Sequence, residues 1–122
     1  MNAVNAVYRE VTVERSLPEV RSVIMSRFLT LSGRLVRSEE RLIECKFGSQ
    51  VMMRLLGGAF IPHAKLPKLA IIRLIEVEKD RTTVTLEVRE SVGVGVKVGM
   101  IKRLRASLDQ LAEEVMLAVN GM

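Results

Sequence analysis

Residues 84–119 read VTLEVRESVGVGVKVGMIKRLRASLDQLAEEVMLAV, a stretch in which one periodicity gives way to another. Val84, Leu86, Val88, Val92, Val94, Val96 and Val98 are spaced by two, so in an extended chain they share a face. After Gly99 the spacing becomes three and four. Ile101, Leu104, Leu108, Leu111, Val115 and Ala118 form the apolar stripe of a helix over 100–119. Glu90 alone breaks the apolar phase of the strand, while Gly93, Gly95 and Gly99 lie in the opposite phase. Those glycines suit a bend or a close approach of another backbone. They lack the strand–turn–helix setting of a nucleotide-binding glycine loop.

Working back along the chain, KDRT at 79–82 joins this strand to LAIIRLIEVE, residues 69–78. With Glu78 opposite Thr83, Val77 faces Val84, Ile75 faces Leu86, Arg73 faces Val88 and Ile71 faces Glu90. Arg73 then lies diagonal to Glu90, within reach of a long side chain. Upstream, AFIPHAKLPK carries Pro62 and Pro67 and reads as an irregular crossing. QVMMRLL, ended by Gly57 and Gly58, reads as a strand. Residues 34–38 and 41–47 form a hairpin that turns near Glu39 and Glu40.

The N-terminal part holds one more strand and one helix. From Ala6 to Glu14, Val7, Val11 and Val13 alternate with polar residues, and Arg9 interrupts their apolar phase. Ser16 and Glu19 have the spacing of a capping box, and Pro18 fits a first helical turn. Val20, Val23, Ile24, Phe28 and Leu31 supply the buried side, and Gly33 is the natural stop. The order is strand, helix, antiparallel strands and a long C-terminal helix. That is an α+β arrangement in which one sheet face is covered by the last helix.

This order, with a helix entered through SLPEV and a last strand running through VGVGVKVG into an amphipathic helix, resembles the START-like helix-grip superfamily. That group includes the birch-pollen allergen and polyketide cyclase-like proteins. The resemblance implies a curved antiparallel sheet gripping the final helix, with an apolar cavity between them. It also implies neighbouring first and last strands, which would bring Arg9 toward Glu90. Members of the superfamily mostly bind lipids or other hydrophobic molecules, and some are enzymes acting on them.

Composition bounds the function. The 122 residues are the size of a single domain, with 48% apolar and 27% charged residues, a globular balance. Aromatics are 3% with no Trp, which disfavours base stacking on single-stranded nucleic acid. The net charge of +5 is spread along the chain between glutamates and reads first as a solvated surface. One cysteine, Cys45, permits no internal disulfide, and one histidine, His63, permits no histidine cluster. No cofactor or metal is therefore expected. MNAVNAVYREVTVE reaches Arg9 and Glu10 before a signal-peptide core could form, and no apolar run has membrane-spanning length. Cytoplasmic residence is the expectation.

The expected partner is a hydrophobic or amphipathic small molecule. Glu90, Arg73 and Arg9 are the candidate polar anchors of its cavity, and Met53, Val88, Val92, Leu104 and Leu108 the candidate lining. Lys65, Lys68, Lys102, Arg103 and Arg105 form a candidate basic rim for an anionic group. Early cations and later anions on the last helix oppose its macrodipole, which an Arg105–Asp109 pair would partly offset. A purely structural reading of Glu90 stays open beside this one. It is an ion pair that fixes register, or a bulge near Ser91 that returns it to solvent. Two rival functions also stay open: an enzyme using Glu90 as acid or base, and a basic nucleic-acid or protein-interaction module.

Overall fold

The computed structural model describes residues 6–48, 67–90 and 101–121, with side chains of the last segment from residue 105 onward. The described elements are β1 (Ala6–Val13), α1 (Leu17–Thr30), β2 (Arg34–Ser38), β3 (Leu42–Phe47), β4 (Lys68–Glu78), β5 (Arg81–Glu90) and α2 (Ile101–Asn120). The strands form one antiparallel sheet in the order β1-β5-β4-β3-β2. The first two strands therefore occupy opposite edges, and α1 carries the chain from one to the other.

The sequence dictates α1 at both ends. Ser16 is the N-cap, its Oγ accepting from the Glu19 amide at 3.4 Å, which satisfies one of the four orphan donors of a helix start. Leu17, Val20, Ile24 and Phe28 are buried. The C-terminus closes as a Schellman motif, the Gly33 amide bonding Phe28 O at 2.8 Å and the Ser32 amide Leu29 O at 3.0 Å. The left-handed residue is Ser32, with φ of 63°, one position before the glycine expected to stop the helix. Gly33 serves another need. A Cβ there would meet Cys45 Sγ and lie 2.7 Å from the Phe47 ring, so only glycine lets the chain cross β3 this closely.

The inner face of the sheet carries Val7, Ile43, Cys45, Ala70, Ile72, Leu74, Val84, Leu86 and Val88, all buried. Against it, α2 packs over β1 and β5 and touches α1. Leu108, Leu111, Ala112, Val115, Met116 and Val119 are its buried residues of the apolar type. The expected helical stripe is thus observed at Leu108, Leu111 and Val115, and it is widened by the positions beside them. Phe28 and Phe47 meet edge to face at 5.4 Å, joining α1 to the end of β3.

One register differs from the expectation. Glu78 pairs with Arg81 across the two-residue loop Lys79–Asp80, and an irregularity between Glu76 and Glu78 then displaces the ladder by one residue. Arg73 consequently pairs with Thr85 and not Val88, and Ile71 with Glu87 and not Glu90. A one-residue slip exchanges the faces of a strand. The inward phase of β4 is Lys68, Ala70, Ile72 and Leu74, while Arg73, Ile75 and Val77 are exposed. β3 pairs directly with β4. The strand expected at QVMMRLL, the crossing AFIPHAKLPK and the glycine-rich end of the last strand lie outside the described residues.

Candidate functional site

At the end of the sheet where β3 finishes and β4 begins, three inward residues stand in a row across neighbouring strands. Phe47 pairs with Lys68, and Lys68 with Glu90. Glu90 does share the buried phase of β5, but the cation placed opposite it is Lys68. Lys68 is 3% exposed. Its Nζ donates to Ser107 Oγ at 2.7 Å, and Ser107 is buried on α2. Burial pushes the Lys68 ammonium down from 10.5 to about 8, because a charge taken out of water favours its neutral form.

A pocket of about 110 Å³ opens at this pair, lined by Leu31, Phe47, Lys68, Ser107, Gln110, Leu111 and Glu114. The helical residues Ser107, Gln110, Leu111 and Glu114 are three and four apart, which puts them on one side of α2. Leu31 comes from the end of α1, Phe47 from the end of β3 and Lys68 from the start of β4. On the solvent side Arg27 of α1 reaches Glu114 of α2 at 3.7 Å. The pocket is mainly apolar in surface, with a buried amine and a hydroxyl at one wall. Such an arrangement suits a small molecule with an apolar body and one polar end.

The residues singled out from sequence are divided by the fold. Val88 and Leu108 are fully buried core and do not line this pocket. Arg9 faces inward on β1 but pairs with Asp109 of α2 at 3.4 Å. It stands opposite Leu86, four residues from Glu90 along β5 and roughly 13 Å away at the usual rise of a strand. Arg73 is on the exposed face. The triad of Glu90, Arg73 and Arg9 is therefore not assembled. Asp109 pairs with Arg9 in place of Arg105, which is exposed. Lys68 belongs to no rim, being buried. Met53, Lys65 and Val92 lie outside the described residues, as do the side chains of Lys102, Arg103 and Leu104. Phe47, Ser107, Gln110 and Glu114 were not anticipated, although Ser107 interrupting the apolar side of α2 was a usable signal.

Elsewhere several of the described cations form ion pairs along the chain. Arg37 meets Glu39, Arg81 meets Glu14 and Glu78, and Arg89 meets Glu87 at 2.6 Å. Among the described residues no group of three or more His, Cys, Asp or Glu could hold a metal ion. No helix among them is long and apolar enough to cross a membrane.

No family model matches the sequence, and a search of curated proteins finds no significant match. Solved structures do match. A START superfamily protein from Mycobacterium smegmatis superposes with a TM-score of 0.58 at 9% identity, over 95% of this chain and 94% of that one. Protein MLL2253 from Mesorhizobium loti superposes with a TM-score of 0.57 at 8% identity, over 96% of this chain and 98% of that one. At such identities the likeness carries the fold alone, and the observed sheet order and C-terminal helix agree with it. The chain has the START-like helix-grip fold.

Proposed function

We propose that the protein binds a small amphipathic molecule, with its apolar body against Leu31, Phe47 and Leu111 and its polar end at Lys68 and Ser107. The observation that carries this reading is the Lys68–Ser107 pair, buried at 2.7 Å beside the apolar side chains of Leu31, Phe47 and Leu111 in one pocket. A lysine amine has several N–H donors, and a ligand that brings a carboxylate, phosphate or carbonyl oxygen to Lys68 can accept a hydrogen bond from it beside Ser107. The small volume favours a short chain or a single ring over a diacyl lipid. The helix-grip fold shared with the START superfamily protein from Mycobacterium smegmatis is in keeping with a ligand pocket between sheet and helix, and the site itself carries the rest of the reading.

The test is titration of short carboxylates, from butyrate to hexanoate, and of the matching alcohols, followed by calorimetry and by amide chemical shifts. Shifts at Leu31, Phe47, Ser107 and Leu111 are expected, with carboxylates preferred. Lys68→Met should weaken carboxylate binding at least about tenfold, the worth of one charge-assisted hydrogen bond. Unchanged affinity in a folded Lys68→Met variant, or shifts confined to another surface, would exclude the reading.

A further inference from the structure

The same pocket holds the ingredients for a covalent step, and this inference rests on the binding reading above. We propose that Lys68 is an imine-forming amine, and that the ligands it captures are small aldehydes or ketones with an apolar body. Three features meet at one place. Lys68 is buried yet lines an open pocket; Leu31, Phe47 and Leu111 make most of that pocket's surface apolar; and a hydroxyl, Ser107 Oγ, lies 2.7 Å from the lysine nitrogen. An apolar site also disfavours water, which drives imine hydrolysis.

The step balances without any added reactant. The neutral Lys68 amine gives its electron pair to the carbonyl carbon, and a carbon–nitrogen bond forms as the carbonyl π pair moves to oxygen. A proton passes from nitrogen to that oxygen, giving a carbinolamine. The oxygen takes a second proton from Ser107 Oγ and leaves as water as the nitrogen lone pair closes the carbon–nitrogen double bond, and the resulting iminium returns its N–H proton to Ser107, leaving the neutral imine. The net change is amine plus carbonyl to imine plus water. Ser107 Oγ is placed to relay the proton between nitrogen and oxygen, accepting from one and donating to the other.

Desolvation supports the nucleophile. A lysine that releases its proton at about 8 holds roughly two orders of magnitude more neutral amine near pH 7 than an ordinary lysine. The titratable groups near it are Glu90, opposite it on β5, and Glu114, on the pocket wall of α2 beside Arg27 of α1. Both are carboxylates, whose negative charge favours a cationic iminium once it has formed.

The experiment incubates the intact protein with butanal and cyanoborohydride at pH 7, then maps reduced adducts by peptide mass spectrometry. The exposed Lys46 and Lys79 serve as internal controls. Lys68 is expected to be trapped at least about tenfold faster than either, with half-maximal rate near pH 8. Lys68→Arg should abolish that adduct, and Ser107→Ala should retain the lysine but slow its trapping several-fold. Even labelling of all three lysines, or trapping of Lys68 no faster than Lys46, would overturn the inference. Butyrate titration in parallel separates the two claims. Butyrate binding at the pocket without preferential trapping defeats the imine alone, and neither result defeats the binding reading as well.

Discussion

Lys68 Nζ donates to Ser107 Oγ across 39 residues of sequence, so the first residue of β4 and the second turn of α2 share one buried polar contact. Below pH 8 both folded and unfolded chains carry the Lys68 proton, and the fold bears the cost of a desolvated charge. From about 8 to 10.5 the native state gives up the proton while the unfolded chain keeps it, so stability rises with pH, by up to about 3 kcal/mol. Lys68→Met removes that rise and should be the more stable protein near pH 7. Urea unfolding of both proteins from pH 7 to 9 checks this, and parallel stability curves would contradict it.

Cys45 acts in the opposite sense. Burial raises its thiol from 9.0 to about 11 despite the nearby Arg34 charge. Between those values the unfolded chain loses the proton and the native state keeps it, so stability falls as pH rises, again by up to about 3 kcal/mol. The Lys68 gain is therefore cleanest below pH 9. Cys45→Ala should flatten the fall between 9 and 11, at a packing cost of about 1 kcal/mol. A variant whose stability still drops as steeply would show that the thiol titrates normally.

The closure of α1 offers a paired test. Ser32→Gly relieves a left-handed non-glycine residue and should raise stability by up to about 1 kcal/mol. Gly33→Ala pushes a methyl group against Cys45 and Phe47 and should cost about 1–3 kcal/mol. Melting temperatures moving in the same direction for both variants would contradict these roles.

Leu108, fully buried beneath the sheet, should lose about 2–5 kcal/mol on replacement by alanine. A loss under about 0.5 kcal/mol in chemical unfolding would place α2 off the core.

Arg9 and Arg73 should tolerate change. The Arg9–Asp109 pair is more than one third exposed at both partners, so Arg9→Met is expected to cost less than about 1 kcal/mol, and Arg73→Ala about 0.5 or less. A larger loss for Arg73 would restore the register in which it faces inward.

That register explains what was legible and what was not. β2, α1 and α2 follow from periodicity, capping and turn residues close to their observed limits, because each signal is local. The side of β4 that faces inward depends on one extra residue near Val77, and a period-two pattern cannot show which of two mixed phases a bulge selects. Both phases of LAIIRLIEVE are rich in apolar residues, so the slip left no trace in hydrophobicity. It moved Arg73 out and Lys68 in. Glu90 shares the inward phase of β5, and its cross-strand neighbour differs from the expected Ile71 by three positions, two from the tighter turn that pairs Glu78 with Arg81 and one from the bulge. The pocket pair needed contact between β4 and α2, which no local pattern encodes.

The sheet order has a consequence for how the chain acquires its structure. β1 cannot complete its ladder until β5 exists, since Ala6 pairs with Arg89, and loops this long make the search for contacts slow. During synthesis β1 must wait until α1, β2, β3 and β4 have been made before β5 emerges. The inner face, with Ile43, Ile72, Leu86 and Val88, is then covered by α1 alone until α2 has left the ribosome. Nascent chains stalled between residues 90 and 105 would therefore be the ones that recruit chaperones or aggregate, and release of the last helix would end that exposure.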